Sequence, residues 1–140
     1  MKARALRYLV RREHSRAELA RKLAPHAESP AAVEEVLEAL LARKQLSDER
    51  FAEERARVLG RKYGPARIRQ DLKAKGVADE ISERLASLPD EAERARAILA
   101  RKYREPAATR EERARRARFL QGRGFSYEAI KRALAGLEEE

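Results

Sequence analysis

The spacing of one apolar triplet limits the fold more than any other feature of the chain. Val33, Leu37 and Leu40 are followed by Ile81, Leu85 and Leu88, and then by Ile130, Leu134 and Leu137. Steps of four and three place the members of each triplet on one helical stripe. The triplets stand 48 and 49 residues apart, and Leu23, Leu72 and Leu120 keep similar time. The 140 residues therefore read as three helical units in tandem. A unit of under about 50 residues buries too little surface to stand securely alone, so stacking must supply the rest. Arrays of this kind offer a surface to a large partner more readily than a pocket to a small substrate.

Helix punctuation is dense and strand signals are nearly missing. Ser15 with Glu18, Asp90 with Glu93 and Thr109 with Glu112 fit capping boxes. Ser29-Pro30 and Gly64-Pro65 place a cap before a proline at the first helical position. Gly76-Val77 and Gly124-Phe125 have the form of helix ends, glycine taking the left-handed position and the next apolar residue folding back. Leu88-Pro89 is a further stop. The pattern predicts helices over 3–13, 16–26, 30–44, 48–63, 65–75, 79–88, 90–104, 110–122 and 127–137. The expected fold is all-α, an elongated array of three tandem three-helix repeats, with borders at 1–47, 48–89 and 90–140.

Charge keeps step with the repeat. The net +9 divides into +6 over 1–27, −3 over 28–50, +5 over 51–76, −5 over 77–93, +9 over 94–132 and −3 in the tail. Basic helices thus alternate with acidic ones. One such band is usually a solvated face with i,i+4 pairs, but recurrence in all three units points to a surface for phosphates or an acidic protein. The first helix of each unit also repeats an apolar pair followed by a basic pair: Leu9-Val10-Arg11-Arg12, Val58-Leu59 before Arg61-Lys62, and Ile98-Leu99 before Arg101-Lys102. The candidate contacts are Arg11 and Arg12 in the first unit, and Arg61, Lys62, Arg67, Arg69, Lys73 and Lys75 in the second. In the third they are Arg101, Lys102, Arg115, Arg116, Arg118 and Arg123. Tyr63 and Tyr103 share a position within that repeat and read as core or groove packing. Aromatic content of 5% is thin for a base-stacking platform.

Sequence-specific DNA reading fits poorly. Residues 66–85 resemble a helix-turn-helix, but the second helix, Asp79 to Leu85, carries three acids and one arginine, which phosphates would repel. Catalytic readings fare no better. Two histidines, His14 and His26, and no cysteine give no zinc spacing, and both histidines read as capping or surface residues. The serines look like caps or exposed positions, and the scattered glycines form no phosphate-cradling loop. No catalytic residue, metal or cofactor is expected. No apolar run approaches a membrane span and the N-terminus lacks a signal peptide's apolar stretch. The expectation is a cytoplasmic monomer, with no leftover apolar stripe for a dimer seam and no membrane contact.

These residues resemble the bacterial RecX regulators. Ala5-Leu6-Arg7-Tyr8-Leu9, Arg11 to Leu19 and Lys22-Leu23 look like that family's opening. Leu46-Ser47-Asp48-Glu49-Arg50-Phe51-Ala52, with Gly64, Arg67-Ile68, Leu72 and Gly76-Val77, resembles its central signature. Arg118 to Phe125, with Ile130 and Ala133-Leu134, resembles its closing one. The resemblance implies an elongated array of three three-helix units that binds the RecA recombinase, mainly as its filament on single-stranded DNA. It implies damping of RecA's ATPase, strand exchange and co-protease action in homologous recombination, DNA repair and the SOS response, with direct, non-specific DNA contact in some members. Three departures are visible. Lys44-Gln45 stands where the family often has glycine, so the preceding helix is expected to lack a left-handed cap. Arg116 stands where Leu19 and Ile68 stand in the other units, and Phe119 is expected to fill the space. The chain begins almost directly at the signature, so no N-terminal extension is expected.

Overall fold

A computed structural model describes residues 1–138, with side chains as far as Ala135; Leu137 of the third triplet lies outside the described side chains. The described residues form nine α-helices and no strand. They are α1 (Lys2–Arg11), α2 (Arg16–Leu23), α3 (Pro30–Ala42), α4 (Asp48–Gly60), α5 (Pro65–Ala74), α6 (Ile81–Ala86), α7 (Glu91–Lys102), α8 (Arg110–Gly122) and α9 (Tyr127–Glu138). Short 3-10 turns at 24–26 and 78–80 continue α2 and precede α6. The predicted helix over 79–88 is therefore shorter. Pro89 disfavours helical backbone at Leu88, and Ile81, Leu85 and Leu88 are only half-buried, whereas Val33, Leu37 and Leu40 are buried.

The caps explain where the chain turns. At α2 the box closes both ways: the Ser15 hydroxyl accepts from the Glu18 amide at 3.0 Å, and the Glu18 carboxylate accepts from the Ser15 amide at 3.2 Å. Ser29, Asp90 and Thr109 cap α3, α7 and α8 through their side chains. Glu112 instead accepts from the Ala108 amide at 2.7 Å, so the third box is open by one residue. The end of α3 corrects the expectation at Lys44. Lys44 itself adopts φ 60, and the Gln45 and Leu46 amides both turn back to the Leu40 carbonyl at 2.9 and 3.3 Å. A left-handed cap is present without glycine, at a local cost of about 1 kcal/mol.

The chain divides into two compact units whose borders fall inside α4, α5 and α6. One comprises residues 1–55 and 72–82, the other 56–71 and 83–140. The first is centred on Ala5, Leu19, Leu23, Val33, Leu37, Leu40 and Leu46. The second is centred on Ala95, Ile98, Leu99, Leu120, Phe125, Ile130 and Ala133. Burying each Val, Leu, Ile or Phe among them contributes about 1.5–3 kcal/mol.

Each unit contains the same joint, in which the turn after one helix rests on the start of another. In the first, the Ser15 hydroxyl donates to the Lys75 carbonyl at 2.7 Å, and a Cβ on Gly76 would stand 2.7 Å from the Ala17 Cβ. In the second, the Gly64 amide donates to the Arg123 carbonyl at 2.7 Å and the Ala66 amide to the Gly124 carbonyl at 3.1 Å. A Cβ on Gly64 would lie 2.5 Å from the Gly124 carbonyl carbon. Gly76 and Gly124 take φ of +81 and +94, where an L side chain is strained. Ser15 and Gly64, Lys75 and Arg123, and Gly76 and Gly124 are separated by one repeat length. One joint uses a hydroxyl as donor and the other the backbone itself.

Candidate polyanion-binding interface

Two segments end their helices alike. The Tyr63 amide donates to the Leu59 carbonyl at 2.8 Å, and the Tyr103 amide to the Leu99 carbonyl at 2.8 Å. Each closing turn leaves a basic pair followed by an aromatic ring at the end of a helix. The Gly64–Gly124 joint then brings the end of α8 against Tyr63. The result, within the second unit, is a ladder in which cations and rings alternate.

Arg67 lies 4.6 Å from the Tyr63 ring centre, and Arg123 lies 5.3 Å from the same ring. Arg123 is also 5.1 Å from Phe119, which Lys102 approaches at 4.4 Å. Lys102 continues to Tyr103 at 5.8 Å, and Arg116 closes the series at 4.2 Å from Tyr103. Tyr103 and Phe119 meet edge to face with centres 6.5 Å apart. Arg67 is further fixed by donating to the Gly122 carbonyl at 3.1 Å. Each cation–ring contact contributes about 0.5–1 kcal/mol at an exposed site. The rings separate like charges and hold them in place, so less side-chain entropy is lost when an anion arrives. Rings engaged in this way have less free face for bases, which favours phosphate-directed attraction over stacking.

The other candidates divide by what they touch. Arg61, Lys62, Arg69, Arg101, Arg115 and Arg118 are exposed in the second unit, as are Arg11 and Lys73 in the first. Arg101 also donates to the Arg61 carbonyl. Arg12 and Lys75 turn towards Glu18: Arg12 binds its carboxylate at 3.1 and 3.0 Å, and Lys75 stands 3.6 Å away. Glu18 is 8% exposed. Burial opposes its charge, but Arg12, the Ser15 amide and Lys75 outweigh it and bring its pKa down to about 2.

Arg116 is turned inward too. It is 7% exposed, stacked on Tyr103, and donates to the Glu105 carbonyl at 2.8 Å. Phe119 packs half-buried against the second unit's core, but Arg116 is itself buried, so Phe119 does not take its place as expected. His14 corrects its reading as a capping or surface residue, being 1% exposed. Its Nδ1 is 3.0 Å from the Arg12 carbonyl and must donate, so Nε2 accepts from the Lys22 ammonium at 2.7 Å. Burial, aided by Arg12 and Lys22, lowers its pKa against a smaller opposing effect of the carbonyl bond and Glu18.

Sequence reasoning missed Arg94. It is 9% exposed and donates to the Gly60, Tyr63 and Pro89 carbonyls at 3.2, 2.9 and 3.2 Å. Burial lowers its pKa, against the pull of Glu91 and Asp90. The available signal was its position four residues before Ile98, a charge on an apolar stripe. Among the described residues no group of histidine and acidic side chains could hold a metal ion, and no helix is long and apolar enough to cross a membrane.

Comparison with known proteins accounts for the three three-helix domains. Residues 2–40, 47–84 and 89–134 match the family models described as the first, second and third three-helix domains of RecX. The regulatory protein RecX of Leptothrix cholodnii is 46% identical over all of this chain and 90% of its own. This chain belongs to the RecX family. The regulatory protein RecX of Ralstonia pickettii is 44% identical over 99% of this chain and 89% of its own. The RecX crystal structure from Lactobacillus salivarius shares the fold, with a TM-score of 0.82, 24% identity and coverage of 99% and 95% of the two chains. The RecX fold of three three-helix domains thus stands on sequence and structural likeness together.

Proposed function

We propose that this protein regulates RecA. It binds RecA and its filament on single-stranded DNA, and mainly inhibits recombinase, ATPase and co-protease activity. Membership of a family of regulatory proteins along the entire chain carries this reading. Exposed or half-buried cations support it: Arg61, Lys62, Arg67, Arg69, Arg101, Lys102, Arg115, Arg118 and Arg123 in the second unit, and Arg11 and Lys73 in the first, are the residues proposed to meet an acidic surface. A filament presents one site at regular intervals, and a repeated chain gains avidity from several weak contacts. Arg12, Lys75 and Arg116 act by holding the fold.

The test is RecA's single-strand-dependent ATPase, with this protein titrated below one copy per RecA and DNA in excess. Inhibition at substoichiometric dose, absent with a matched basic protein, is the expected result. A second reading, a non-specific DNA binder acting without RecA, draws on the cation–ring ladder. It requires inhibition only once the protein coats the DNA, with an affinity that falls steeply with salt.

A further inference from the structure

A cavity in the second unit lies between the end of α4, the turn before α7, and α7 itself. Its volume is about 240 Å³, and Arg57, Arg61, Arg94 and Arg101 line it with Leu88 and Ala97. Gly60 and Pro89 complete the wall, and no lining residue is acidic. Among the described residues Arg61, Arg94 and Arg101 make no ion pair. Arg94 is held by three carbonyls, which take three of its five N–H donors without neutralising its charge. Glu91 and Asp90 pull on that charge without pairing with it and without lining the cavity. A buried cation with no paired counter-charge is costly, and an anion in the cavity would offset that cost.

The planar guanidinium fork of arginine pairs with two oxygens of a phosphate or a carboxylate. Charge separates these two: a phosphate monoester carries about −1.5 to −2 at neutral pH where a carboxylate carries a single charge, and Arg61, Arg94 and Arg101 all line the cavity. The volume is that of roughly eight waters at ~30 Å³ each, more than an oxyanion alone needs. The Leu88, Pro89 and Ala97 surfaces would meet a compact apolar or flat group attached to it. We infer that this cavity binds a phosphate ester, a nucleotide unit being the chemical class that fits. The guanidinium groups hold the phosphate while the sugar or base lies on the apolar wall. The nucleotide can be free or part of a strand. This inference stands apart from the RecA reading, since nucleotide binding is measured on this protein alone.

The experiment is titration of the full chain with thymidine 5′-monophosphate, followed by the arginine Nε resonances in nitrogen-edited spectra. Thymidine and a triglutamate peptide serve as comparison probes. Binding of the monophosphate with thymidine inert, and at least tenfold weaker binding to Arg61→Gln/Arg101→Gln, is expected. Ala97→Leu keeps every charge and fills the cavity from an exposed position. It is expected to weaken the monophosphate at least tenfold while inorganic phosphate still binds. If a thymidine oligonucleotide weakens in parallel, the site serves a strand; if only the mononucleotide weakens, it serves a free nucleotide. Equal shifts from thymidine, unchanged affinity in both variants, or tighter binding of triglutamate than of the monophosphate would each overturn the assignment.

Discussion

Gly64→Ala adds one methyl group and is expected to cost far more than a methyl usually does. The new Cβ would lie 2.5 Å from the Gly124 carbonyl carbon, 2.5 Å from the Phe125 nitrogen and 2.6 Å from the Gly124 oxygen. All three are backbone atoms, so no side chain can rotate away. Carbon contacts settle at about 3.5–4.0 Å, so the two turns must part by about 1 Å. That separation breaks the Gly64–Arg123 and Ala66–Gly124 hydrogen bonds. Each contributes about 1 kcal/mol, and a buried group left unpaired costs about 1–3 kcal/mol. The sum is about 3–5 kcal/mol, a large part of a typical domain's stability of about 5–15 kcal/mol. Gly122→Ala is the control, because a Cβ there meets nothing within 4 Å and sits at the end of α8. Alanine should be neutral or stabilise by up to about 1 kcal/mol. Gly60→Ala, whose Cβ would meet a Leu88 methyl at 3.3 Å, should fall between. Urea unfolding followed by helical circular dichroism orders the three. A loss below about 1 kcal/mol for Gly64→Ala would refute the rigid backbone joint.

Two further substitutions report on the first unit. Glu18→Gln should cost about 2 kcal/mol at pH 7, reduced from the full linkage value because Arg12 is half-exposed. Glu18's pKa falls from 4.5 to about 2 on folding, so its contribution is complete above pH 4.5 and is lost as pH falls towards 2. Unfolding midpoints of the two proteins should converge at the acid end, and a constant gap would show that the charge is irrelevant. Lys44→Gly should stabilise by about 0.5–1 kcal/mol, since relief of the left-handed backbone exceeds the added unfolded-state entropy. A lower thermal midpoint would mean that Lys44 holds more than its φ suggests.

Nearly every helix was legible because the signals that set it are local. Ser15, Ser29, Asp90 and Thr109 start helices through bonds within three residues, and such bonds are written in the sequence. The joints were not legible. Gly76 and Gly124 read as helix ends, which they are, but their second role depends on residues about 60 positions earlier that approach them. His14 misled for the same reason: its burial is set by Tyr8, Arg12 and Lys22 meeting around it, not by its neighbours in a cap. The basic candidates show the limit of charge counting. Arg12 and Arg118 look alike in sequence, yet one is tied to Glu18 and the other is exposed. Tyr63 and Tyr103 read correctly as packing residues, but only the fold reveals that cations are what they pack against.

The ladder also gives the protein an optical reporter of its own. The chain has four tyrosines and no tryptophan, so tyrosine emission is not drained by transfer to an indole. Two of the four, Tyr63 and Tyr103, sit against Arg67, Arg123, Lys102 and Arg116. An anion that draws these cations from the rings changes the surroundings of the light-emitting groups themselves. Binding on that face can therefore be followed in the unlabelled protein with a probe that contains no chromophore.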